Sequence, residues 1–301
     1  MKKNSLCFLA LFFHIFYHTE AKAATFTRTQ ILMGNVPVSI TLKSDISKRQ
    51  KAVRSIEKAF EEERRIEKEV SEWQPASQTT RLNQNAGGDW LPIGKDLMSL
   101  LIKAREISEI TEGAFDVTFA SQDPRATFRD VKIIPEKSVA RLKRRHMKIG
   151  VSGIAKGYIV DQMSRVLQKE GFKKFLINAG DLFVAGEWKV AIKNPYGDTS
   201  QTLCRLTLKD KAISTSGLYE RGPHIINPHT RKPARGLASM TAIASTSIQA
   251  DTLATAGFVL GKKRMDLIKK RVPDVELLWV DRQGVFGGSA DLVSLCRKSS
   301  T

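Results

Sequence analysis

Asp251 and Thr255 stand four residues apart in the run Ala250-Asp251-Thr252-Leu253-Ala254-Thr255-Ala256. If that run is helical they share one face. A carboxylate and a hydroxyl on one face, with a backbone carbonyl nearby, suit a hard cation that also holds phosphate oxygens. The same pair also reads as an N-terminal helix charge and a threonine bonded to its preceding turn. A second segment, Ser152-Gly153-Ile154-Ala155-Lys156-Gly157-Tyr158 with Asp161 beyond it, starts a helix at a glycine and puts Lys156 in the first turn. Free N–H groups and the helix dipole favour an anion there, and the lysine adds charge toward a phosphate. The spacing is not that of a P-loop, and on spacing alone an ordinary glycine N-cap is the simpler account.

Two further segments carry chemistry-bearing residues. Gly113-Ala114-Phe115-Asp116 ends a helix, turns, and sets a carboxylate after an aromatic ring; alone it reads as a C-cap over a buried Phe. Ala212 to Glu220 is rich in small hydroxyl residues and turns at Gly217, ahead of Pro223-His224-Ile225-Ile226-Asn227-Pro228. A short hairpin there presents His224 at a loop rim, where proton transfer is open to it. Of the five histidines, His14 and His18 lie in the apolar start of the chain, and no histidine has a partner at metal-ligand spacing.

The elements that must position these groups mix helices and strands. Thr25 to Leu42 alternates like a hairpin turned at Met33-Gly34-Asn35. Asp45 to Val70 keeps Val53, Ile56, Phe60 and Ile66 on one helical face, and Lys95 to Thr111 does the same with Leu97, Leu100, Leu101, Ala104 and Ile107. Trp73 to Gly88 reads as a polar loop. Ile154 to Glu170 is a third helix, stopped by Gly171. Phe175 to Trp188, Lys189 to Ile192, Arg205 to Thr207 and Ala212 to Thr215 read as strands. Ala242 to Ser247 is another, running into a helix from Ala250, and Leu277 to Val280 and a segment near Val293 close the chain as strands. With no regular βαβ beat, no repeat and no linker, this is an α+β chain with one compact domain over residues 24–301.

The first 23 residues stand apart. Lys2 and Lys3, an apolar run from Leu6 to Tyr17, and Ala21-Lys22-Ala23 ahead of Ala24 form the pattern of a cleaved secretory signal peptide. The run is too short for a membrane anchor, since a span takes about 20 residues. An exported, periplasmic location follows as an expectation. The net charge of +18 favours acidic or phosphate-bearing partners, and export argues against nucleic acid. Cys204 and Cys296 remain beyond the leader. Export permits them to pair, and two free thiols are equally compatible with the sequence.

Taken together and in this order, the segments resemble the FAD:protein FMN transferase family, once described as thiamine-biosynthesis lipoproteins. The resemblance includes Met33-Gly34, Trp73-x-x-x-Ser77 with Leu82-Asn83, Gly113 to Asp116, and Gly153 to Asp161. It continues through Asn178-Ala179-Gly180-Asp181, Ser214 to Glu220, His224 to Pro228 and Asp251-x-x-x-Thr255-Ala256. It implies a flavin-transferase fold of mixed sheets and packed helices. It implies that the Gly153 carbonyl, Asp251 and Thr255 hold Mg²⁺, and that Met33, Trp73, Ala114, Phe115, Asp116 and Lys156 line an FAD site. His224 would be the base for the incoming hydroxyl. The implied reaction moves FMN from FAD onto a Ser or Thr of an exported or membrane-bound redox protein and releases AMP. The chain departs from the family where Gly150 replaces a flavin-site Asp and where Asn227 replaces an Asp. It is also shorter between Asp116 and Gly150, where the family's hairpin is expected to be missing. Two other readings share these residues: an Mg²⁺-dependent FAD pyrophosphatase, and a non-catalytic flavin-binding protein.

Overall fold

The computed structural model describes residues 23–197, 201–218, 222 and 224–299. The expected leader falls outside them except for Ala23, as do Tyr219, Glu220 and Pro223. The described residues open with the expected hairpin, β1 (Ala23–Leu32) and β2 (Val36–Asp45). Its turn residues Met33, Gly34 and Asn35 all take positive φ. The amphipathic helix α1 (Arg49–Val70) follows, burying Ile56, Phe60 and Ile66 along its expected face.

The segment expected to be a polar loop contains a helix, α2 (Gln78–Gln84). Its signal is short and mostly polar: Ser77 caps it by accepting the Thr80 N–H at 3.0 Å, and only Thr79 and Leu82 are buried. After β3 (Leu91–Pro92) comes α3 (Lys95–Ile110), ended by Gly113 at φ +81. The hairpin expected to be missing before Gly150 is present. It consists of β4 (Val131–Ile134) and β5 (Val139–Leu142), turned through Ser138 in the left-handed region and paired with β3 in a three-stranded sheet.

Helix α4 (Ser152–Lys169) leads to β6 (Phe175–Asn178) and β7 (Leu182–Lys193). The apolar run expected as one strand from Phe175 to Trp188 is therefore split. Gly180 at φ +85 and the bond from Ala179 N–H to the Asp181 carbonyl, 2.9 Å, fold it into a hairpin. Conversely, the two short strands expected at 205–207 and 212–215 are one long strand, β8 (Thr202–Gly217). The charged Lys209-Asp210-Lys211 between them sits at an irregularity in the β7 pairing, where Asp210 accepts the Gly186 N–H at 2.7 Å.

The remaining elements are β9 (Ile226–Asn227), β10 (Lys232–Pro233), β11 (Leu237–Ala244), α5 (Ser247–Leu260), α6 (Met265–Arg271), β12 (Glu276–Asp281), β13 (Phe286–Gly288) and α7 (Ala290–Ser299). The strand expected near Val293 is thus a helix. Leu292 and Cys296, four apart, are its buried face, a period that a strand does not have.

Eight strands form one antiparallel sheet in the order β1-β2-β6-β7-β8-β11-β12-β13. Alternate residues point to opposite faces. One face, with Ile40, Ile177, Ala212, Ala242 and Leu277, joins the large core under α1, α3, α4 and α5. The other, with Val184, Ile213, Ile243 and Leu278, packs with Leu292 and Cys296 of α7. Cys204 of β8 and Cys296 of α7 form a disulfide with Cα atoms 4.6 Å apart, which settles the alternative the sequence leaves open. The α+β class stands as expected.

Candidate active site

The site begins where α4 and α5 cross. A side chain at Gly157 would meet the Ser247 carbonyl at 2.5 Å and Ile248 Cα at 2.7 Å, so only glycine lets the helices approach this closely. The contact is closed by two carboxylates pointing in opposite directions. Asp161 of α4 accepts the N–H groups of Ser247 and Ile248 at 2.7 and 3.0 Å. Asp251 of α5 accepts the Gly157 N–H at 3.1 Å. That N–H is the group an unbroken helical ladder would direct to the Gly153 carbonyl.

Lys156 projects between two acids. It forms an ion pair with Asp181 and lies 3.4 Å from Asp251 Oδ1. Asp181 comes from the tight turn joining β6 and β7, and Ser214 Oγ of β8 donates to its Oδ1 at 2.5 Å. Thr255, one helical turn after Asp251, has its hydroxyl 3.1 Å from Ser216 Oγ. Burial pushes the Asp251 carboxyl above the ordinary range, and the Lys156 ammonium and the Gly157 N–H draw it back down.

The opposite wall is the segment after α3. Asp116 Oδ1 accepts the backbone and hydroxyl of Thr118, both at 2.7 Å, and its Oδ2 accepts the Phe128 N–H at 2.9 Å. Burial raises its pKa against those bonds. Asp116 thereby fixes the backbone that presents Ala114, Phe115 and Phe119. The β9–β10 hairpin forms the third side. Arg231, at φ +56, reaches from it to the carbonyls of Ser121, Asp123 and Ala126 at 2.6, 3.1 and 3.2 Å, tying hairpin to wall. Just before the hairpin, His224 is exposed, with Nδ1 2.9 Å from the Gly222 carbonyl. A carbonyl only accepts, so Nδ1 carries the proton in that bond and Nε2 is left as the basic nitrogen.

These walls enclose a cavity of about 570 Å³, within the span of small-molecule sites. Of the ten residues singled out from the sequence, the cavity brings together eight: Ala114, Phe115, Asp116, Gly153, Lys156, His224, Asp251 and Thr255. Met33 and Trp73 are not in its lining. Met33 sits in the β1–β2 turn, its N–H 3.3 Å from Glu67 Oε2, and Asn35 of the same turn and Val36 at the start of β2 do reach the cavity. Trp73 is 78% exposed, with Lys148 Nζ 5.9 Å from its ring centre. Its neighbour Glu72 accepts the Ser152 N–H at 3.2 Å.

The sequence model of the ApbE family matches residues 33–279. The chain belongs to the ApbE family. A relative named FAD:protein FMN transferase, from Treponema pallidum, is 27% identical over 267 residues, covering 72% of this chain and 74% of the relative. A protein of the same name from Klebsiella pneumoniae is 25% identical, covering 68% and 75%. The crystal structure of the ApbE protein of Thermotoga maritima superposes with a TM-score of 0.79 at 25% identity, over 90% of this chain and 99% of that one. The flavin transferase ApbE of Vibrio cholerae gives a TM-score of 0.77 at 21% identity, over 91% and 100%, and so shares the fold.

Against the ApbE pattern, position 150 has its own solution. A side chain at Gly150 would come within 2.7 Å of Glu72 Oε2 and 2.9 Å of Phe119. The Glu72 carboxylate thus lies beside position 150, though Glu72 itself does not line the cavity. Asp181 is the site residue that sequence reasoning missed. Its motif, Asn178 to Asp181, is visible in the sequence, but its partners lie 25 and 33 residues away and only the fold joins them.

Proposed function

We propose that this ApbE-family protein is an Mg²⁺-dependent FAD:protein FMN transferase that links FMN to a Ser or Thr of an acceptor protein and releases AMP. The observation that carries this reading is the convergence of Asp251, Thr255, Gly153 and Lys156 on the same cavity as Phe115, Asp116 and His224. Among the described residues no group of three or more His, Cys, Asp or Glu side chains could hold a metal ion. That leaves a site with fewer than three ligands of those types. It fits Mg²⁺, which is commonly held by one or two carboxylates with substrate phosphates and water as the other ligands. Asp251, the Thr255 hydroxyl and the Gly153 carbonyl are the oxygens that would hold it, and when bound it would neutralise charge on the pyrophosphate.

In the proposed reaction the acceptor hydroxyl oxygen forms a bond to the FMN-side phosphorus. The bridging P–O bond breaks, and AMP leaves with the bonding electron pair. His224 Nε2 takes the hydroxyl proton, and Lys156 stabilises the charge growing on the phosphate oxygens. The Phe115 side would hold the flavin against apolar surface. The same reading places the protein outside the cytoplasm. Support comes from the basic-apolar-small pattern of the first 23 residues and from the Cys204–Cys296 disulfide, a bond at home in an oxidising compartment.

The test is incubation with FAD and Mg²⁺, with and without a flavin-free envelope protein fraction. A flavin-fluorescent protein band together with AMP is the expected result. FMN and AMP formed at the same rate without acceptor would instead make the protein a pyrophosphatase. Bound flavin that is never turned over would make it a binding protein.

A further inference from the structure

We infer that the free edge of β1 is the docking strand for an extended segment of the acceptor polypeptide, a deepening that rests on the transferase reading. β1 ends the eight-stranded sheet and pairs only with β2 among the described residues. It is ten residues long, and Arg28 is its one charged residue. Thr25, Thr27, Thr29 and Ile31 line its exposed side, Ile31 at 63% exposure. Soluble proteins usually blunt such an edge with charge, proline or a covering element, because a long edge of low charge pairs with an extended chain; here the single charged side chain, Arg28, donates to the Thr27 carbonyl at 3.1 Å.

This edge is continuous with the active-site cavity. Thr29 stands opposite Ser39 of β2, and Ser39 stands opposite Asn178 of β6. All three line the cavity. They make a row of polar side chains running from the sheet edge to the turn that carries Asp181. A chain added along β1 would present alternate side chains on the face of Thr29. The paired residues anchor the segment, and its Ser or Thr lies in the chain that leaves the edge beside Thr29 and follows the polar row across Ser39 and Asn178, about 14 Å of sheet, toward the phosphate-binding groups. Backbone pairing would supply the affinity, so the acceptor's side chains need little complementarity beyond the hydroxyl.

The test uses Thr27→Lys and Ile31→Lys, separately and together, both outside the cavity lining. The probe is the flavin-free envelope protein fraction of cells lacking this protein, read as fluorescent bands on a denaturing gel. The expected result is a labelling rate lowered by about tenfold, recovered at higher acceptor concentration, with FAD binding and acceptor-independent AMP release within about twofold of the parent. Unchanged labelling by the double variant overturns the edge as the docking strand and leaves the transferase reading standing. If the parent labels no protein, the transferase reading fails and the docking inference fails with it. A change from dimer to monomer on sedimentation would show that the edge serves a second copy of this chain, which also overturns the inference.

Discussion

Lys156 Nζ lies 3.4 Å from Asp251 Oδ1 while its other side pairs with Asp181. One ammonium thus compensates two buried carboxylates. Lys156→Met would leave both acids without that cation, a loss of about 3–5 kcal/mol for a broken buried pair. The expected outcome is a lower melting temperature without Mg²⁺, a larger upward shift on adding Mg²⁺ than the parent shows, and turnover reduced by about a hundredfold. Thermal melts with and without Mg²⁺ check the first two. An equal Mg²⁺ shift in both proteins would count against Asp251 as a cation ligand.

Gly150 and Gly157 predict opposite outcomes for the same substitution. At Gly150 the nearest atoms are the ends of Glu72 and the Phe119 ring, which can move. Gly150→Ala should fold with a change of less than about 1 kcal/mol but weaken flavin binding, because the displaced Phe119 ring sits on the cavity wall. At Gly157 the nearest atoms are backbone, which cannot. Gly157→Ala should cost about 1–3 kcal/mol or more. Denaturant unfolding paired with flavin fluorescence titration separates the two.

Arg231 holds three carbonyls from a left-handed backbone position. Arg231→Gly removes the clasp and relaxes that backbone. FAD affinity should fall by about tenfold, as expected for loss of charged hydrogen bonds, with the fold retained. A titration curve that matches the parent's would show that the hairpin and the Asp116 wall hold their positions without it.

Glu63 is fully buried on α1 with neither carboxylate oxygen hydrogen-bonded, and burial, reinforced by Glu67, pushes its pKa up to about 8 from 4.5. The unfolded chain releases this proton near 4.5 and the folded one near 8. The stabilisation is therefore complete below about 4.5 and declines as pH rises to about 8, by about 3 kcal/mol at pH 7. Glu63→Gln should raise the melting temperature at pH 7.5 and flatten its slope between pH 5 and 8, as a pH series of melts would show.

The disulfide closes a loop spanning 92 residues and ties α7 to β8. Cys296→Ser should lower stability by about 2–5 kcal/mol. No residue of α7 lines the cavity, so FAD turnover at moderate temperature should be unaffected. Parallel melts and rate assays check both halves.

How much of this was legible depended on distance along the chain. The faces of α1, α3 and α4 repeat every three to four residues over many turns, and the sequence shows them plainly. Helix α2 is seven residues of mostly polar chain held by Ser77, too short for a period to emerge. Lys209-Asp210-Lys211 looks like an exposed turn and is an irregular stretch of a continuous strand, because β7 supplies the partner that accommodates it. Asp251 and Thr255 could be paired by helical spacing alone. Asp181 could not, since its contacts with Lys156 and Ser214 exist only once the β6–β7 turn is folded against α4 and β8. Glu72 escaped for the same reason: its contact with Ser152 spans 80 residues.

Both helix starts at the site already have carboxylates on their amides. Glu72 takes the Ser152 N–H, and Asp161 takes those of Ser247 and Ile248. Those donors are closed to a phosphate, although a helix start is ordinarily an anion cradle. With those three amides spent within the protein, positive charge for a pyrophosphate comes chiefly from Lys156 and from an ion supplied by solvent. Under the proposed function, that arrangement makes the grip on the nucleotide reversible. Once the ion departs, the Lys156 ammonium that stays behind is already shared between Asp181 and Asp251, and product release need not wait for the fold to open.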